Sequence, residues 1–84
     1  MFAIRGSWPV DGELDEEQLA HIADTVSSQP GFVSGFWGQD IGDGAAAQAF
    51  VVFADEASAS AMADGVRSAI PGADVAVERI LAHA

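Results

Sequence analysis

The sequence predicts an α+β domain whose elements run strand, helix, strand, strand, helix, strand. Three observations predict it. Two stretches carry apolar residues at helical spacing, Leu19 to Val26 and Ala59 to Ile70, and each is followed by a Pro-Gly pair. Short alternating runs open and close the chain, Phe2 to Trp8 and Val75 to Leu81. Between the helical stretches lies QPGFVSGFWGQDIGDGAAAQAFVVFAD, which reads as a helix end, a turn and two strands joined by a glycine-containing loop. This hairpin is apolar on both faces, because Phe32, Val33, Phe36 and Trp37 fall in adjacent pairs and Ala49 to Phe53 run unbroken. Its sheet needs two covers. One comes from the chain's own helices, and the other is expected from a second copy of the chain.

In the first strand, Met1 to Trp8, the residues Phe2, Ile4, Gly6 and Trp8 share one side, with Ala3, Arg5 and Ser7 on the other. Pro9 ends it. Asp15 has the position of a helix N-cap with Gln18 as its reciprocal partner, and Leu14 and Leu19 have the spacing of a hydrophobic staple. Glu16 and Glu17 complement the helix dipole, and Leu19, Ile22, Ala23 and Val26 make one apolar face that stops near Ser28. Strand two runs from Phe32 to Gln39, where Gly35 and Gly38 suggest a bulge or a close approach to the backbone. The loop DIGDGAA, with Asp43-Gly44 as a turn pair, leads to strand three, Gln48 to Ala54. Asp55 caps the second helix and Glu56 is its helix-start acid. The many alanines of that helix favour its formation and let it lie close to a sheet. A fourth strand follows Pro71-Gly72 and ends near the C-terminus.

The order is the split βαβ of a ferredoxin-like fold, a four-stranded antiparallel sheet with two helices on one face. At 84 residues the chain is a single domain, 1–84. A domain of this size buries only about 60 to 65% of the surface its unfolded chain exposes, so its core is thin and oligomerisation helps it. There is no cysteine, which excludes disulfides, thiolate metal sites and cysteine nucleophiles. No apolar run is long enough for a membrane span and MFAIRGSW is too short for a signal peptide, so a cytoplasmic protein is expected. Three arginines stand against 13 acids, for a formal net charge of −10. No cationic stripe exists to displace counterions from phosphates, which argues against nucleic acid and anionic membranes as partners.

The helix closing with SSQPGF, the strand VSGFWGQD, the strand QAFVVFAD running directly into EASASAMADGV, and the final VAVERIL together resemble the dimeric α+β barrel superfamily. Within it they look most like small members of the antibiotic biosynthesis monooxygenase-like group. The likeness covers nearly the whole chain. It implies a homodimer whose two sheets pack into a barrel, with a pocket in each subunit between helices and sheet. It further implies either cofactor-free oxidation of polycyclic phenols to quinones or, in the haem-degrading branch, opening of haem. The functional side chains of these enzymes do not carry over. The chain has no Asn for the first strand, no His in the second helix, where Met62 and Val66 stand instead, and no tyrosine.

Among candidate chemical groups, His21 sits beside the apolar face of its helix within reach of Glu17 and Asp24, as an exposed, paired side chain would. His83 is penultimate and is either a frayed end or a residue at a pocket mouth. Metal-ligand spacing is absent: Asp15, Glu16 and Glu17 serve a helix start, and Asp40 and Asp43 lack the order of a calcium loop. No serine sits in a nucleophile elbow. The aromatics Trp8, Phe36, Trp37, Phe50 and Phe53 fall on neighbouring strands. With Met62 and Val66 above them they either line an apolar pocket for a flat ligand or are core and dimer interface. Arg5 and Arg79, expected at separate positions in the sheet, either pair with acids such as Glu78 or hold an anionic or phenolic oxygen. The candidate pocket is therefore Trp8, Phe36, Trp37, Phe50, Met62 and Arg79, with no metal and no cofactor. The reading is a homodimeric, non-catalytic module that binds a small hydrophobic or aromatic ligand or a protein. The alternative is a cofactor-independent monooxygenase-like enzyme acting on a small aromatic substrate.

Overall fold

The computed structural model describes residues 1–9, 16–39, 41–42 and 46–82. Its elements are β1 (Phe2–Pro9), α1 (Glu16–Ser27), β2 (Phe32–Gln39), β3 (Ala46–Phe53), α2 (Glu56–Ala69) and β4 (Asp74–Arg79). The strands form one antiparallel sheet in the order β2-β3-β1-β4, the ferredoxin-like arrangement expected from the sequence. The expected Asp15 cap, the Leu14 staple, Asp40, the Asp43-Gly44 turn and His83 lie outside the described residues.

Alternation in β1 sends Ile4 toward the helices, where it joins Val51, Phe53, Ala59 and Ala63 in the buried core. Phe53 is fully enclosed and meets Phe32 edge to face at 6.1 Å. The opposite face of the sheet carries Arg5, Phe50 and Phe36, and neither α1 nor α2 lies on it.

The helices are held very differently. In α2 the Asp55 carboxylate accepts from the Ser58 backbone N–H at 2.9 Å and from the Ser58 hydroxyl at 2.9 Å. These bonds hold the carboxyl below its ordinary range. Ala59 and Ala63 are fully buried against the sheet, and the Arg67 guanidinium donates to the Val75 carbonyl at 3.0 Å, tying α2 to β4. By contrast α1 has no buried residue and rests on β2. Both helices stop at Pro-Gly, with Gly31 at φ 81° and Gly72 at φ 86°, a left-handed turn that glycine makes without steric cost.

Five local points differ from expectation or sharpen it. β3 starts at Ala46, because Ala46 and Ala47 pair with Pro9 and Trp8. Pro9 itself stays within β1: β4 reaches only as far as Ser7, so the proline has no ladder bond to make on that side. β4 ends at Arg79, short of Leu81. The bulge of β2 falls at Val33, between Phe32 and Ser34, and not at either glycine. Finally, β1 and β4 are neighbours, which brings Arg5 within 3.1 Å of Glu78.

Candidate functional site

Under the two helices lies a cavity of about 80 Å³. Ile4, Gly6 and Trp8 of β1, Trp37 of β2, Ala49 and Val51 of β3 and Val75 of β4 form its sheet wall. Ile22 and Val26 of α1 close one side, and Met62, Val66 and Ile70 close the other. The apolar faces of both helices were legible at helical spacing, and the space lies where the family resemblance implied a pocket, between helices and sheet.

The lining is aliphatic and indole throughout. Apart from the Met62 thioether, the only polar side-chain atoms these residues possess are the indole N–H groups of Trp8 and Trp37. The seat of Trp37 explains one glycine. A Cβ on Gly35 would lie 3.2 Å from the indole Cη2 and 3.2 Å from the Phe50 carbonyl oxygen, so the bare backbone lets the ring settle over the strand. Gly38 has no such neighbour within 4 Å.

The six residues expected to share a pocket divide over the molecule. Trp8, Trp37 and Met62 line the helix-side cavity. Phe36 and Phe50 lie on the other face, stacked at 5.7 Å with an interplanar angle of 11°. There they border a groove of about 190 Å³ together with Arg5, Ser7, Gln48 and Asp74. Arg79 lines neither; it stands opposite Phe2 at the end of β4. The strand period explains the division, since Phe36 and Trp37 are successive residues and must point to opposite faces.

Phe36 is 61% exposed and Val33 47%, so the outer face presents apolar surface beside the Arg5–Glu78 pair. His21 is exposed on α1. Among the described residues no group of three His, Asp or Glu side chains could hold a metal ion, and no helix is long and apolar enough to cross a membrane.

By sequence the chain matches no family model and no curated protein. By structure it matches well. A protein from Deinococcus radiodurans assigned as an antibiotic biosynthesis monooxygenase superposes with a TM-score of 0.70 at 9% identity, over 100% of this chain and 96% of that one. The N63A mutant of SnoaB, a cofactor-independent oxygenase from Streptomyces nogalater, superposes with a TM-score of 0.71 at 17% identity, over 98% of this chain and 94% of that one. The chain has the fold of these antibiotic biosynthesis monooxygenase-like proteins. At such identities the likeness establishes the fold alone, and activity has to be argued from the side chains.

Proposed function

We propose that this chain is a homodimeric binding module, in which two copies meet through their outer sheet faces and each holds a small hydrophobic ligand beneath its helices without transforming it. One observation carries the reading. Among the described residues that line the cavity, none can take or give a proton near neutral pH, whereas oxidising a phenol requires its proton to be removed. The dimer is supported by the exposed Phe36 and its stacked partner Phe50 on a face that neither α1 nor α2 covers. The chain's acidity favours neutral over anionic ligands.

The second reading is a cofactor-independent oxygenase acting on a small aromatic substrate. It is favoured by the structural likeness to SnoaB, which is itself such an oxygenase. Oxygen uptake with a panel of hydroquinones and anthrones separates the two. Saturable binding with uptake no faster than in buffer supports the module. Oxygen consumption that rises with enzyme concentration overturns it in favour of the oxygenase.

A further inference from the structure

Resting on that reading of the cavity, we propose that the site takes a nonpolar ligand no larger than a single small ring, and that α1 is the wall that yields to admit it. An apolar cavity of about 150 Å³ accepts benzene, and the present one, at about 80 Å³, has roughly half that space. A ring therefore enters only if one wall moves.

The sheet wall is fixed. Ile4 and Val51 are 4% and 5% exposed, and their strands β1 and β3 are each paired on both sides. The α2 wall is also fixed, by the buried Ala59 and Ala63, by the Asp55 cap and by the Arg67 bond to Val75.

α1 is seated less deeply. It buries no residue, and Ile22 is 40% exposed although it lines the cavity. Its last turn holds Asp24 and no basic residue, which sets a negative charge against the negative end of the helix dipole. The Thr25 hydroxyl donates to the His21 carbonyl and the Ser28 hydroxyl to the Asp24 carbonyl, contacts that compete with the helix's own hydrogen bonds. Low burial and exposed backbone bonds put α1 at the weak end of the local stability scale. Small outward movement of α1 makes room for one ring. A fused tricycle needs two further rings of space, which a helix still seated on β2 does not yield.

The test titrates the intact protein with benzene, naphthalene and anthrone, followed by ¹H–¹⁵N spectra and amide hydrogen exchange. In the free protein, α1 amides are expected to exchange at least tenfold faster than those of α2. Benzene is expected to shift the Trp8 and Trp37 indole resonances saturably and to change exchange in α1 but not in α2. Naphthalene should bind more weakly than benzene and anthrone not at all. Ile22→Ala, at a half-open position whose loss the fold tolerates, should improve naphthalene binding about tenfold with spectral dispersion retained. Naphthalene or anthrone shifting the indole resonances at lower concentration than benzene overturns the size limit and leaves the binding reading standing. Ligand-dependent exchange confined to α2 overturns the assignment of α1. Absence of binding by all three probes overturns the binding reading as well.

Discussion

Replacing Phe36 with serine tests the outer face. Phe36 is 61% exposed in the single chain. With about 200 Å² for a phenylalanine side chain, that leaves about 120 Å² available to a partner. At about 25 cal/mol per Å², its burial is worth about 3 kcal/mol per copy, and about 6 kcal/mol for a two-fold symmetric pair. If the partner covers only half of the ring, about 3 kcal/mol remains. The dimer dissociation constant of Phe36→Ser should therefore rise between about a hundredfold and about ten-thousandfold. Light scattering on a sizing column over a dilution series reads this directly. Ile22→Ser, on the other side of the sheet, should leave the constant unchanged. A Phe36→Ser dimer as tight as the wild type would refute the assignment of this face, and a wild-type chain that is monomeric throughout would refute the dimer itself.

Three further outcomes follow from local geometry. Gly31→Ala forces a side chain onto a backbone at φ 81° and sets its Cβ 2.8 Å from the Asp55 Oδ1, disturbing the cap of α2 as well as the turn. Left-handed strain alone costs about 1–3 kcal/mol, so its urea midpoint should fall measurably, and an unchanged midpoint would contradict the turn. The Asp55 carboxyl lies below its ordinary value of 3.8, so the stability it contributes is present above that pH and is lost as pH falls through the lowered value. Asn caps without titrating, so the stability difference between wild type and Asp55→Asn should be constant near neutrality and should change as pH falls below the ordinary value of 3.8; a difference that stays flat there argues against the cap. Gly35→Ala sets a Cβ 3.2 Å from the Trp37 indole and should displace the ring slightly, shifting tryptophan emission, with Trp8 as the second tryptophan. An unmoved spectrum would show that the ring does not rest there.

The fold was legible because periodicity and punctuation agree at nearly every element. Period two in β1 set Ile4 and Arg5 on opposite sides of the sheet, where the core and the Glu78 pair hold them, and the Pro-Gly pairs ended both helices where the two left-handed glycines stand. What local pattern does not encode is the lateral distance between elements. Adjacent strands and a shared aromatic character suggested one pocket, yet Phe36 and Phe50 share a face that excludes Trp37 and Trp8. The strand alternation that separates them is present in the sequence. A run apolar on both faces removes the contrast by which alternation is ordinarily read.

The two helices show the same limit in energetic form. Each has an apolar face at i, i+3, i+4 and i+7, and periodicity ranks them alike. They differ in the size of what they place against the sheet. Alanines at positions 59 and 63 let α2 descend until both are fully buried, whereas the bulkier Ile22 and Val26 remain partly exposed at the cavity edge. A helix held off the sheet buries less apolar surface per residue, and its marginal seat is the same fact as the space beneath it. The cavity and the movable wall thus have one cause, the contrast between small and branched side chains on two otherwise similar amphipathic helices. Filling the gap from the fixed side, through Ala49 of β3, should therefore remove ligand binding and push α1 further out, while trimming Ile22 should enlarge the site without loosening α2.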